Sequence, residues 1–397
     1  MPWQETCPMD ERLRFVREHR RQAVSTTELC RAFGISRRTG YKWLARFDEL
    51  GAPGLSDRSR APATHPNATA ADLEEVIVEL RRFRMSWGPR KLRAWLQEHI
   101  PNRHWPSAST IGEIAQRHGL VPPASVRRRS PPFSQPLAHA DAPNAVWCAD
   151  FKGWFRTRDG ARCDPLTMTD AYSRYLLCAR GVERTDGDHV KPVMERAFSE
   201  FGLPVALRTD NGSPFASVGL GGLSRLSVWL VRLGIRHERI APGKPQQNGR
   251  HERMHRTMRA ETANPPAADL SRQQRVFDRF RDDFNNERPH EALGMKTPAS
   301  LYKPSPRALP GRLPEVGYPK TYELRHVRSN GEIKIGGERL FVSEALIGEV
   351  VGLDRLDDRY WRIHFGPVSL GCVDAVNGRW ATRVELQAAG LLPMCPV

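Results

Sequence analysis

The chain has no Cys-x-x-Cys pair. Its seven cysteines, Cys7, Cys30, Cys148, Cys163, Cys178, Cys372 and Cys395, stand apart, and none has a histidine neighbour at finger spacing, which excludes a structural zinc site. An odd set of unpaired cysteines without a signal peptide fits a reducing cytoplasm. No apolar run approaches the ~18–20 residues needed to cross a bilayer, so no membrane partner is expected. The sequons at Asn67 and Asn211 are then accidental. Acid is scarce relative to base: 45 Asp and Glu face 61 Lys and Arg, a formal charge of +16. Residues 1–135 hold 23 basic against 14 acidic residues, more than half of the excess. A basic surface concentrated in this way suits a polyanion, because Lys and Arg that neutralise phosphates release condensed counterions.

At 397 residues the chain is long enough for several domains. Residues 1–50 read as a helix-turn-helix domain. Ser25 and Glu28 form a capping-box pattern, Gly34 turns the chain, and Ser36 caps a second helix that presents Arg37, Arg38, Lys42 and Arg46 to a DNA groove. Residues 51–70 read as a Gly/Pro/Ser linker. A second helix-turn-helix-like domain spans 71–122, with Leu73, Val76, Ile77 and Leu80 on one helical face, Pro89 at a helix start and Ser107 as a cap. It serves equally well as a spacer or dimer-forming bundle, since its last helix has only Arg117 as a basic residue. Residues 123–140 form a Pro-rich basic linker whose Arg127, Arg128 and Arg129 would follow a phosphate backbone or enter a minor groove.

From 141 to 303 strand and helix signals alternate, as in a mixed α/β sheet. Residues 304–320, rich in proline, read as a third linker, and six short strand candidates between 321 and 390 read as a small β-barrel. Three carboxylates in the middle region stand where phosphodiester chemistry requires them. Asp150 lies in the strand Asn144 to Trp154, Asp210 ends the strand Val205 to Thr209, and Glu252 opens a basic helix after a Pro/Gly/Asn loop. Magnesium prefers oxygen ligands, and two ions held by such carboxylates stabilise both the attacking and the leaving oxygen of an in-line displacement. Arg253 and Arg256 lie within a turn of Glu252, where they would steer phosphates, and Lys244 and Asn248 lie in the preceding loop. Asp170 reads as a turn cap. Glu238 has an arginine on each side, and Glu261 is nine residues beyond Glu252, half a turn round the same helix.

Three segments carry a resemblance: Asp210-Asn211-Gly212-Ser213, Pro245-Gln246-Gln247-Asn248-Gly249-Arg250-His251-Glu252, and Asn286 to Gly294. Together, over roughly 140 to 305, they resemble the integrase core of bacterial insertion-sequence transposases, relatives of retroviral integrases. The resemblance implies a ribonuclease-H-like fold and a catalytic, metal-binding triad of Asp150, Asp210 and Glu252. It also implies Mg2+ or Mn2+, with two ions, as cofactor. The function it implies is DNA cleavage and strand transfer on double-stranded DNA, at element ends and target, by a homo-oligomer beside a bacterial nucleoid. A barrel at the carboxyl terminus would add DNA contact or subunit bridging. The alternative is a non-catalytic DNA-binding regulator derived from such a transposase.

Overall fold

The computed structural model describes residues 7–59, 68–121, 139–217, 219–240 and 249–391. It divides into two compact units, 1–69 and 70–397. In the first, α1 (Pro8–Arg20), α2 (Thr26–Ala32) and α3 (Arg37–Leu50) surround Phe15, Val16, Leu29, Cys30, Trp43 and Leu55. Ser25 and Glu28 form the capping box of α2, and Ser36 caps α3. Gly40 lets α3 approach α2 closely, because a Cβ there would lie 2.5 Å from Cys30 Sγ. The segment read as a linker from 51 begins inside this unit: 52–55 is a short 3-10 turn, Leu55 is fully buried, and Arg12 Nη1 donates to its carbonyl at 2.7 Å.

The second unit opens with α4 (Ala71–Phe83), α5 (Pro89–His99) and α6 (Ala108–Arg117), packed around Ile77, Trp87, Leu92, Leu96, Trp105, Ile111 and Ile114. Arg117 and His118 at the end of α6 both bind Glu74 of α4, so the only basic side chain of that helix is already engaged.

The middle region holds β1 (Val146–Phe151), β2 (Phe155–Arg156), β3 (Arg162–Asp170), β4 (Leu176–Val182), α7 (Gly187–Phe201), β5 (Ala206–Thr209), α8 (Arg225–Arg232), β6 (Arg236–Arg239), α9 (Gly249–Thr262) and α10 (Leu270–Asn286). The five longer strands lie in the order β4-β3-β1-β5-β6, and β2 adds a short rung to β3. β3 is antiparallel to both β4 and β1; β5 and β6 run parallel to β1. Alternation along the strands feeds two cores. Trp147, Leu166, Met168 and Leu207 pack with α7 and α8, while Cys163, Leu176 and Ala179 pack with α9 and α10. This is the ribonuclease-H-like arrangement that the resemblance implies.

Past residue 320 come β7 (Glu323–His326), β8 (Glu332–Ile335), β9 (Glu338–Phe341), β10 (Val350–Arg355), β11 (Tyr360–Phe365), β12 (Val368–Asp374), β13 (Arg379–Trp380) and α11 (Arg383–Ala388). The six expected strands are present, yet among the described residues they close no barrel. β13-β12-β11-β10-β7 form an open antiparallel sheet, and β8 and β9 pair only with each other. No strand ladder joins β13 to β7: β13 is two residues long, and the β8–β9 hairpin meets these strands through side chains, Arg325 Nε donating to Lys334 O and Trp380 Nε1 to Phe341 O. The core of this sheet extends to α8, whose Val228 and Val231 join Leu346, Val351, Ile363 and Phe365. The Pro-rich segment 304–320 has no regular structure but is tied down. Ser305 N donates to Phe201 O, and the Arg307 guanidinium reaches the carbonyls of Pro204, Leu233 and Gly234.

Candidate active site

β1 and β5 pair in parallel, Val146 beside Ala206 and Cys148 beside Arg208. Two residues past the last ladder pair come Asp150 and Asp210, at the carboxyl ends of adjoining strands, where α/β sheets form their clefts. Asp210 turns the chain, its Oδ1 accepting from Gly212 N at 3.1 Å.

Glu252 comes to this end of the sheet on α9, and the helix is fastened at the residue that faces Asp150. Thr167 of β3 is the register partner of Asp150. Its Oγ1 lies 2.6 Å from His251 Nε2 and 2.7 Å from His255 Nε2, and it donates to the Asp150 carbonyl at 3.1 Å. Thr169 Oγ1 meets His251 Nδ1 at 3.1 Å. His251, Met254, His255 and Met258 form the buried stripe of α9 at helical spacing, and Glu252, Arg253, Arg256 and Arg259 are exposed. Burial, with His255 adding, holds His251 well below its ordinary pKa. Burial, with Lys152 adding, lowers His255 to about 4, so both rings are neutral at neutral pH. On β6, His237 Nε2 lies 2.9 Å from Thr209 Oγ1, and burial, with Arg239 adding, lowers this ring to about 4 as well.

The rival carboxylates have other partners. Glu261 binds Ser86 and Arg288, the latter at 3.0 Å, and so helps to clasp α9 and α10 to the turn after α4. Arg84–Asp283 and Trp95 Nε1–Glu287 extend that clasp. Glu238 binds Arg208, Arg236 and His139; burial raises its pKa, but the hydrogen bonds from Arg208 and Arg236 outweigh this and hold it below the usual value. Asp170 is fully buried and accepts from Asn144 N, Ser173 N and Ser173 Oγ, which makes it a turn anchor.

Among the described residues no three His, Cys, Asp or Glu side chains are grouped closely enough to hold a metal ion. As a donor set, three carboxylates fit a hard divalent cation. In the first unit Arg37, Arg38 and Lys42 are exposed on α3, and Arg46 is half-buried with its guanidinium 5.1 Å from the centre of the Trp43 ring. Tyr41, which the sequence reading passed over, is 58% exposed on the same helix. Arg127, Arg128, Arg129, Lys244 and Asn248 lie outside the described residues. No described helix is long and apolar enough to cross a membrane.

Two models of the integrase core domain match, over residues 140–245 and 233–298. A helix-turn-helix domain matches 11–63 and a homeodomain-like domain matches 39–115, both DNA-binding types. An uncharacterized 31.7 kDa protein of insertion element IS407, from Burkholderia multivorans, is 28% identical over 281 residues, covering 70% of this chain and 90% of its own. An uncharacterized 39.2 kDa protein of insertion element IS476, from Xanthomonas euvesicatoria, is 27% identical over 249 residues, covering 62% and 69%. A solved HTLV-2 integrase catalytic core domain in complex with magnesium aligns at 15% identity and a TM-score of 0.31, covering 41% of this chain and 97% of that one. The chain carries an integrase core domain, matched across residues 140–298, and is similar to proteins encoded by bacterial insertion elements.

Proposed function

We propose that the chain cuts and rejoins DNA with divalent metal ions held by Asp150, Asp210 and Glu252. What supports this reading is the parallel ladder of β1 on β5, which ends at Cys148 beside Arg208 and leaves Asp150 and Asp210 at the same edge of the sheet, with the helix of Glu252 fastened to Thr167, the register partner of Asp150. Bound there, two Mg2+ or Mn2+ ions would neutralise the charge that builds on the attacking and leaving oxygens of a phosphodiester. The protein's own groups bind and orient. Arg253, Arg256 and Arg259, exposed around Glu252, hold the phosphates on either side of the scissile bond. Arg37, Arg38 and Lys42 on α3 enter a groove of the element end, with Arg46 and Tyr41 beside them. Lys244, Asn248 and the Arg127–Arg129 triplet add contacts to the same strand or to its neighbour. Water is the first nucleophile, and the freed 3′-hydroxyl, attacking target DNA, the second. Holding two ends at once requires more than one copy of the chain.

The test uses a supercoiled plasmid carrying the gene with its flanking DNA. Nicking should need Mg2+ or Mn2+, stop with a chelator, and disappear in Asp150→Asn and Asp210→Asn, while plasmid binding persists. Cleavage that survives chelation refutes the mechanism. Binding without any cleavage would favour a DNA-binding regulator.

A further inference from the structure

The same device occurs at both aspartates. Thr167 Oγ1 donates to the Asp150 carbonyl at 3.1 Å, and Thr209 Oγ1 donates to the Asp210 carbonyl at 2.9 Å. Both threonines are buried, at 0% and 1% exposure, and each hydroxyl is also met by imidazole. A hydroxyl has one proton and two lone pairs. Once that proton goes to a carbonyl, every other partner must donate, which assigns the proton to Nε2 in His251, His255 and His237. His251 Nδ1 is then left as an acceptor, and Thr169 Oγ1 stands 3.1 Å away to serve it. Around Thr167 every donor finds an acceptor.

Ordinary satisfaction of buried polar groups does not require this pattern. Each hydroxyl ends on the main-chain carbonyl of a carboxylate residue, and so adds a side-chain tie to the peptide plane that follows that residue. His251 and His255, four residues apart on α9, also fix the rotation of the helix at the turn that bears Glu252. We propose that Thr167 with His251 and His255, and Thr209 with His237, are positioning residues that hold the backbones of Asp150 and Asp210 and set Glu252 against them. The proposal rests on the metal-site reading above. No neighbouring aspartate is held in this way at Asp170, which is bonded through its side chain.

The experiment uses the full chain and Mn2+ alone, followed by paramagnetic resonance of free Mn2+ without DNA, beside thermal melting and plasmid nicking. Thr167→Val and Thr209→Val should melt as folded proteins and bind Mn2+ about 10- to 100-fold more weakly, the range typical when the support of a metal ligand is removed. Their kcat for nicking should fall while KM for DNA stays put, and Thr167→Ser and Thr209→Ser should restore both properties. If a valine variant does not fold, His255→Gln, which keeps an N–H near Thr167, is set against His255→Leu; only the leucine variant should weaken Mn2+ binding. Valine or leucine variants that bind Mn2+ as wild type does, or serine variants that fail to restore it, overturn the proposal. A wild type that binds Mn2+ through Asp150 but cuts no DNA overturns the function reading and leaves the positioning role standing. A wild type that binds no Mn2+ overturns both.

Discussion

Replacing each of three glutamates by glutamine should separate stability from chemistry, because the structure gives the three very different surroundings. Glu261 neutralises Arg288, which is 5% exposed, and also receives Ser86. Glu261→Gln leaves that guanidinium without its counter-charge. Breaking a buried pair costs about 3–5 kcal/mol, and since the Glu261 side chain is 27% exposed and partly screened, about 2 kcal/mol is the expected loss. Glu238→Gln frees Arg208, whose side chain is 14% exposed, but Arg236 is in solvent, so about 1–2 kcal/mol is expected. Glu252 is exposed, and its replacement should change stability by no more than about 0.5 kcal/mol. Activity should follow the opposite order, with Glu252→Gln abolishing plasmid nicking and the other two retaining it under conditions where they are folded. Urea unfolding followed by circular dichroism gives the first ranking, and Mg2+-dependent nicking gives the second. Loss of cleavage in a stable Glu261→Gln, with Glu252→Gln active, would show that the wrong face of α9 has been assigned to the site. The two positions are about 13 Å apart along the helix and half a turn round, so they cannot exchange roles.

Acid should weaken the second unit before its carboxylates protonate. Burial, with Lys91 and Arg288 adding, lowers His290 to about 3, and burial lowers His237 and His255 to about 4, against an unfolded value near 6.5. A depressed histidine binds fewer protons folded than unfolded. The stability is therefore intact above about 6.5 and lost as pH falls toward 4, at up to about 1.4 kcal/mol per pH unit for each ring. A urea midpoint that stays flat from pH 7.5 to 5 refutes this. DNA binding by residues 1–69, a compact unit on its own, should weaken steeply with salt, log K falling by about 0.9 per neutralised phosphate against log salt; a flat slope in a titration would remove α3 as the DNA reader. Gly40→Ala should destabilise that unit by about 1–3 kcal/mol despite alanine's higher helix propensity, since the added Cβ meets Cys30 Sγ at 2.5 Å and Phe15 Cζ at 3.0 Å; a raised melting temperature would contradict the packing.

What short-range chemistry controls was legible in the residues. Ser25, Ser36 and Ser107 cap the helices they were read to cap, and β1 and β5 lie within the strands expected to carry or precede the two aspartates. Long-range pairing was less accessible. Strand alternation from 321 onward locates six strands, but whether edges meet depends on partners tens of residues away, so an open sheet and a separate hairpin read as a barrel. Proline-rich composition marks 304–320 as lacking regular structure, but says nothing of the carbonyls that Arg307 finds on the core. The His251–Thr167–His255 seat had a signal that went unused. On a helix with so many arginines, His251, Met254, His255 and Met258 are an inward-facing stripe, and two histidines on such a stripe need polar partners in the sheet.

Helix α8 has consequences for how the protein is made. Six consecutive residues, Leu226 to Val231, are buried, with Leu226, Trp229 and Leu230 facing one core and Val228 and Val231 facing the other. The first set finds most of its companions earlier in the chain, from Trp147 to Phe215. The second must wait for Val351, Ile363, Phe365 and Val373, more than a hundred residues later, a delay on the order of 10 s at bacterial translation rates. Through that interval, and permanently in any product cut short near residue 303, the nascent chain presents a bare valine stripe beside Leu223. Truncated forms are therefore poor candidates for soluble expression, and a chaperone that binds short apolar segments has an obvious place to hold.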